Sequence, residues 1–377
     1  MELVGDRETG GRWGDGPDPG PGEREKTMTT IQTTSQEAPT TTPQQQAGAM
    51  LQLVAGYAGV RTVDLGLRSG LVAALAESPG ATPDDLAEQL GLDDLYVAVW
   101  CRSAYAAGVL ERDGDGDYRL AEHLGALLLD TTHPAYVGGL FPLVQQPEMF
   151  GRFGDVLASG ERLWWDETSP DWIAGVSGTG RPFYTRLVPG GLAQVPGLTE
   201  RLEAGARVVD HACGAGAGLV RLAQAYPGCE LVGVDGDAHS IERARALLTE
   251  QGLADRVELV VSPLEDVVLE RPADVVVNNI SMHECRDVDQ VTERVRDALV
   301  PGGWFVISDF PFPDSDAGLR SVPGRVMCAI QFFEAQIDDQ LLPRSAYDAL
   351  LERHGFVDVG HADLTPMHSL TWGRRPA

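Results

Sequence analysis

Apolar residues recur at helical spacing through AGAMLQLVAGYAGVRTVDLGL (47–67) and again through SGLVAALAES (69–78), which predicts two packed helices. A third is expected from Pro83, because Thr82 is a good N-cap, Pro83 suits the first turn, and Asp84 and Asp85 favour its positive end. Gly91 is placed to close it, and Asp93 or Asp94 to cap the next helix. VLERDGDGDYRLA (109–121) then reads as two short strands around a Gly-Asp turn. From about residue 205 the pattern changes to strands alternating with helices, which implies a parallel sheet. ARVVDHACGAGAGLVRLAQAY (206–226) is a buried strand, a glycine-rich turn and a helix, and CELVGVD (229–235) is a second strand ending in Asp235. RVELVVSPLED, ADVVVNNIS and GGWFVISDF supply three more strands, and FVDVGHADLTP with HSLTWGRR suits a closing antiparallel pair.

Between these regions, residues 131–200 form a helical connector dense in aromatics: Phe141, Phe150, Phe153, Trp164, Trp165, Trp172, Phe183 and Tyr184. Core filling and the lining of an apolar pocket are equally open for the set. The candidate pocket residues are Trp172, Phe183 and Tyr184, with Phe332 and Phe333 from a later stretch. At the other end, residues 1–45 are rich in Gly, Pro, Thr and Gln with almost no large apolar side chains, so they are expected to remain disordered. Met28 in that tail offers an alternative start. The expected organisation is therefore 1–45 tail, 46–130 helical module with a hairpin, 131–200 connector and possible lid over a substrate, and 201–377 α/β domain.

The helices and hairpin of 46–130 resemble a winged helix. A DNA-binding version needs cations for phosphate, whereas this one carries Asp93, Asp94, Glu111, Asp113, Asp115 and Asp117 against Arg102 and Arg112. The whole chain points the same way: 56 Asp and Glu against 29 Lys and Arg give a net charge of −27, which repels nucleic acid. A packing or dimerisation module, and a homodimer, is the expectation. Five scattered cysteines (Cys101, Cys213, Cys229, Cys285, Cys328) suit a reducing cytoplasm and no disulfide framework. No apolar run approaches the roughly 18 residues of a membrane span, and no signal-peptide stretch opens the sequence. Lys26 is the sole lysine, which fits a GC-rich genome and says nothing of function.

Glycines 214, 216 and 218 let a backbone pass close to a ligand, and Asp235, 21 residues after Gly214, sits where a carboxylate can accept two ribose hydroxyls. A dinucleotide fingerprint would need glycine at 219, which is Leu219. The layout Asp210-x-Ala212-x-Gly214-x-Gly216-x-Gly218 instead resembles the DxGxGxG turn of class I S-adenosylmethionine (SAM) methyltransferases, with Ala212 in place of the first glycine. The order of winged helix, connector and α/β domain is similar to that of the small-molecule O-methyltransferases of plants and actinobacteria. LEAGARVVDHACGAG and GVDGDAHSIERAR are closer still to a bacterial subfamily of these enzymes. The resemblance implies an α/β, Rossmann-like methyltransferase sheet, SAM as cofactor, and a small apolar or aromatic metabolite as substrate. Asp210, Gly214, Gly216, Asp235, Gly236, Leu264 and Asn278 are the residues it places at the cofactor. Where many relatives have an acidic residue near the adenine, this chain has Ser262-Pro263, leaving apolar packing around Leu264.

Methyl transfer to oxygen is an in-line displacement that also removes a proton. His283, in NNISMHECRD, stands where the O-methyltransferases carry their HD motif, with Glu284 replacing Asp, and these two are the candidate catalytic residues. A general base and a structural role stand level for His283, one of eight histidines. The plant-type acid that orients this histidine is not evident, because QLLPRSAY has Pro343 there; Glu334 and Asp287 are the alternatives. Magnesium would need converging carboxylates, and the strand edge offers Asn278, Asn279 and Ser281, so no metal is expected. SAM-dependent O-methylation thus leads. An enzyme that binds SAM for other chemistry, such as cyclisation or hydroxylation, is the alternative, followed by a ligand-responsive regulator.

Overall fold

The computed structural model describes residues 41–113, 116–163 and 167–377. Met28 and the expected tail to residue 40, the Gly114-Asp115 turn, and Trp164 and Trp165 lie outside them. Met1–Leu51 and Gln52–Ala377 form separate units. In the first, the described residues run into helix α1 (Pro43–Arg68). Its start lies inside the stretch expected to be tail. Thr42 and Gln45 satisfy each other's backbone N–H groups at 2.9 and 3.2 Å, a capping box that the polar composition concealed.

The second unit continues with α2 (Leu71–Glu77), α3 (Pro83–Leu90), α4 (Asp94–Ala106) and a hairpin of β1 (Leu110–Arg112) and β2 (Tyr118–Leu120). Thr82 caps α3 reciprocally with Asp85, Gly91 ends it at φ 65°, and Asp93 caps α4. Val72, Leu75, Leu86, Cys101 and Leu110 form the core of this module. Trp100 is buried among them with its indole N–H donated to the Thr62 carbonyl at 2.9 Å. The chain then runs through α5 (Leu124–Leu129), α6 (Leu140–Leu143), α7 (Gly151–Val156), α8 (Pro170–Arg186) and α9 (Leu198–Glu203). Ser169 caps α8 through the Trp172 N–H, and Pro170 occupies its first turn.

The α/β part follows as β3 (Arg207–His211), α10 (Ala217–Ala225), β4 (Glu230–Asp235), α11 (Ala238–Glu250), β5 (Val257–Val261) and β6 (Ala273–Asn279). It ends with α12 (Val288–Ala298), β7 (Leu299–Asp309), α13 (Asp316–Arg320), α14 (Val322–Glu334), α15 (Arg344–Arg353), β8 (Val357–Thr365) and β9 (His368–Arg374). The sheet order is β5-β4-β3-β6-β7-β9-β8, parallel through β7 and antiparallel at β9 and β8. The predicted mixed α/β architecture with an N-terminal helical region is therefore present. Near-continuous valine runs in β3, β4 and β6 fit strands buried on both faces. One face packs on Leu219, Leu222 and Leu202, the other on Val291, Val295 and Leu351. Strand order reverses between β3 and β6, which opens a crevice beyond their C-terminal ends, where open α/β sheets bind ligands.

The turn leaving β3 shows why its residues differ. Ala212 sits at φ 70°, Gly214 at 51° and Gly216 at 84°. A Cβ in the left-handed region costs on the order of 1–2 kcal/mol, so Ala212 carries strain that glycine would not. Replacing it by glycine also loosens the unfolded chain, which offsets part of the gain. Ala212→Gly is expected to raise stability by about 1 kcal/mol, read as a higher urea midpoint with an unchanged slope.

Candidate active site

Each glycine of the turn does something different. Gly214 borders the crevice, with open space where a Cβ would stand. Gly216 ends the turn and begins α10, where a Cβ would press on Ala244 of α11 at 3.1 Å. Gly218 faces away from any ligand: a Cβ there would overlap the Tyr184 ring and the Asp210 carboxylate. The turn is braced from β4, whose terminal Asp235 accepts the N–H of Gly214 at 2.8 Å and that of Asp237 at 2.9 Å. Asp210 is wholly buried and accepts the Tyr184 hydroxyl at 2.9 Å, while its Oδ2 has no partner. Burial, with Asp235 adding repulsion, pushes the Asp210 carboxyl up to about 7 against the pull of the Tyr184 hydrogen bond. A buried carboxylate with one orphaned oxygen is suited to a cationic amine.

Across the crevice, β6 ends at Asn279 and the chain turns through Ile280, whose φ is 54°. A β-branched residue in the left-handed region is a true outlier, and such strain gathers at functional sites. The turn delivers His283, which is buried, to the end of β7. There its Nδ1 meets both oxygens of Asp309 at 2.8 and 2.9 Å. Asp309 also accepts the Tyr347 hydroxyl at 2.7 Å and the Phe310 N–H at 2.8 Å. With Nδ1 as donor to Asp309, Nε2 is left facing Glu284 and Glu334, each 3.9 Å away. Burial disfavours the imidazolium, yet Asp309, helped by Glu334 and Glu284, raises His283 from 6.5 to about 10. Burial also pushes Glu334 up to about 7 and Glu284 well above the usual carboxylate range, against the pull of His283. The atoms of His283, Glu284 and Glu334 lie within 4.8 Å of one another, a convergence of acids that the Asn-Asn-x-Ser strand edge did not suggest.

One cavity of about 830 Å³ joins these two sides. Gly214 and Ala212 border it at one end, His283, Glu284 and Glu334 at another. Its walls are largely apolar. Trp172 stacks on Phe333 with ring centroids 4.1 Å apart, and Phe183 meets Phe310 edge-on at 4.9 Å. Tyr184 also lines it.

The structure thus gathers His283, Glu284, Gly214, Trp172, Phe183, Tyr184 and Phe333 around one space. Asp210, Gly216 and Asp235 stand behind the turn as its supports. Gly236 is exposed beside Pro263, and Leu264 packs against the sheet's second core face. Two of the candidates are placed elsewhere. Asn278 is fully buried and does not line the cavity, because strand alternation turns Asn279 to it instead. Phe332 lies on another side of α14 from Phe333, 38% exposed and packed on Phe150 and Phe153. Of the proposed orienting acids, Glu334 reaches His283, whereas Asp287 caps α12. Asp309 was missed, although an aspartate closing a buried strand at the C-terminal sheet edge is a legible signal.

Residues 202–340 match the family described as "Methyltransferase domain". Over 110 residues the chain is 33% identical to carboxy-S-adenosyl-L-methionine synthase of Trichlorobacter lovleyi, covering 28% of this chain and 45% of that protein. The chain therefore spans less than half the length of the curated relatives it matches. An O-methyltransferase family protein of Burkholderia thailandensis aligns over 88% of this chain and 98% of its own, with a TM-score of 0.66 and 21% identity. Human N-acetylserotonin methyltransferase, solved with SAM, aligns over 90% and 100% with a TM-score of 0.65 and 15% identity. At these identities the two structures establish a shared fold.

The His283–Asp309 pair has a measurable signature. A folded-state value of about 10 against an ordinary 6.5 means that the pair's stabilisation is full below 6.5 and is lost as pH rises through 10. In an NMR titration the His283 ring is expected to stay protonated well past neutrality, and in Asp309→Asn to titrate several units lower. That variant should also lose roughly 3 kcal/mol at pH 7, the cost of breaking a buried pair.

Proposed function

We propose, from a methyltransferase domain spanning residues 202–340, that the protein is a SAM-dependent methyltransferase acting on an oxygen of a small apolar or aromatic metabolite. The observation that carries this reading is the single cavity with the glycine turn on one wall and the Nε2 face of His283 on another. The residues fit the cofactor. Asp235 is placed for ribose hydroxyls, the open face at Gly214 for close approach, and the buried Asp210 behind the turn for a negative field that suits the cofactor's positive groups. Bound there, SAM supplies an electrophilic methyl group on a positively charged sulfur, a charge that favours the neutral form of a nearby imidazole.

His283 then acts as general base. Asp309 fixes the tautomer with Nδ1 as donor and aims Nε2 into the cavity. A base whose conjugate acid lies at about 10 is matched to a phenol of pKa ~10, so the proton moves with little uphill cost. Trp172, Phe183 and Phe333 bind the flat apolar body and keep water away. In this scheme residues 131–200 cover the cavity, 201–377 hold the cofactor, and the winged-helix-like 46–130 pack against a second copy. Exposed Leu53, Val54 and Tyr57 on α1, with Leu95, Tyr96, Val99 and Tyr105 on α4, support a homodimer. Five cysteines without disulfides suit the cytoplasm, and no helix among the described residues is long and apolar enough to cross a membrane.

A second reading has its own support: SAM binding with non-methylating chemistry. The curated relatives that match part of this chain are named as carboxy-S-adenosyl-L-methionine synthases, and Ala212, Ser262-Pro263 and Pro343 depart from the O-methyltransferase pattern. Mass analysis of the products formed from SAM and a panel of phenols separates the two.

Isothermal titration should show SAM binding; its absence would overturn the cofactor assignment. His283→Ala is expected to keep that affinity while lowering turnover by roughly 10²–10⁴, and an unchanged rate would remove the base role. Because the neutral imidazole is the active form, wild-type turnover should rise from pH 7 towards 10. Light scattering should give twice the chain mass, and paired aspartates at Leu95 and Tyr96 should halve it without loss of SAM binding.

A further inference from the structure

A chain of hydrogen bonds with a fixed direction runs from the connector to the cavity, and the chemistry above uses none of its members. Arg186 of α8 donates from Nε to His368 Nδ1 at 2.9 Å. His368 Nε2 meets the Ser308 hydroxyl at 2.7 Å, and that hydroxyl donates to Asn279 Oδ1 at 2.7 Å. An arginine Nε only donates, so Nδ1 must accept and Nε2 must carry the proton of a neutral ring. Burial and the neighbouring Arg186 both push His368 well below its ordinary value, in keeping with that assignment. Ser308 therefore accepts from His368 and spends its own proton on Asn279. The outcome is an Asn279 amide that cannot flip: its oxygen is bound, and its nitrogen is buried with no partner.

Asn279 lines the cavity at the end of β6, paired with Ser308 of β7 next to Asp309 and one residue beyond the His211–Asn278 pair with β3, where the glycine turn begins. The strained Ile280 follows it directly, and His283 is four residues on. Asn279, which lines the same cavity as His283, thus holds a locked N–H donor that no group among the described residues satisfies. The donor calls for an acceptor. An anionic carboxylate would have to shed its water against a wall that is otherwise largely apolar, whereas a neutral acceptor loses far less. A carbonyl oxygen satisfies both conditions.

We propose that Asn279 is a specificity residue which donates a hydrogen bond to a carbonyl oxygen adjacent to the hydroxyl that is methylated. The substrates are then aromatic hydroxy-carbonyl compounds. This rests on the methyl-transfer reading above.

The test compares an ortho-acetyl naphthol with its ortho-ethyl analogue, which lacks only the carbonyl oxygen, in calorimetry on the full chain with S-adenosylhomocysteine present. Wild type should bind the acetyl compound roughly tenfold more tightly, the worth of one buried hydrogen bond. Asn279→Leu should abolish the difference, and Asn279→Asp, nearly isosteric, should remove it while keeping the ethyl compound's affinity. Ser308→Ala leaves Asn279 in place but unlocks its amide, so it should show a reduced preference in a fold verified by its melting curve. Equal binding of the two compounds by wild type overturns the proposal. So does an Asn279→Leu protein that loses SAM affinity but keeps the preference, since the donor would then serve the cofactor. Failure of both naphthols to bind would overturn the substrate class, whereas failure of SAM to bind would overturn the methyl-transfer reading itself.

Discussion

A histidine and an aspartate joined by two short contacts, both almost fully buried, hold the active crevice together. Removing such charges from water costs several kcal/mol each, and it is tolerated only where geometry and further hydrogen bonds recover it. Here the recovery is spread through the fold. Asp309 closes β7, Tyr347 reaches it from α15, and the Phe310 N–H adds a third kind of donor. The pair therefore binds strand, helix and loop at the ends of β6 and β7, one strand from the point where the sheet order reverses. It also sets the ring's direction, because a histidine tied through Nδ1 has only Nε2 to offer the cavity.

The other wall is built on an opposite economy of charge. Asp210 and Asp235 share one neighbourhood, neither is ion-paired to a cation among the described residues, and burial raises both. Asp235 is spent on backbone N–H groups that shape the turn, while Asp210 is half spent on Tyr184. Two acids behind a turn that presents open backbone give this wall a field that favours a cationic ligand. The net charge of −27, which argues against nucleic acid, is compatible with such a ligand without arguing for it.

Much of this was readable from the sequence, for identifiable reasons. Strand periodicity and glycine spacing are local, so the sheet, the turn and the closing antiparallel pair follow from patterns of two to twenty residues. The capping of α3 by Thr82 is equally local. What escaped was long-range or fell on a parity choice. Asp309 lies 26 residues from His283, and only the parallel pairing of β6 with β7 brings them together. Asn278 and Asn279 differ by one position, and strand alternation sends them to opposite faces. Phe332 and Phe333 divide in the same way around α14. The role of Gly218 was misread because its neighbour, Tyr184, comes from a helix outside the α/β domain.

That helix, α8, ties the glycine turn to the aromatic wall of the cavity. Tyr184 hydrogen-bonds the carboxylate behind the glycine turn, and Gly218 has no side chain so that the phenol can lie there. One step along, Phe183 packs on Phe310 and His368, and Arg186 stacks over Phe183 while donating to His368. At its start, Trp172 stacks on Phe333, adjacent to Glu334 on α14. A displacement of α8 would therefore break a contact to the turn, a contact to β9 and an aromatic stack beside the acid cluster together. Packed interfaces of this kind resist small deformations. The aromatic connector, which composition alone left open between core filler and pocket, supplies both: Trp172, Phe183 and Tyr184 are buried against their neighbours and at the same time line the cavity.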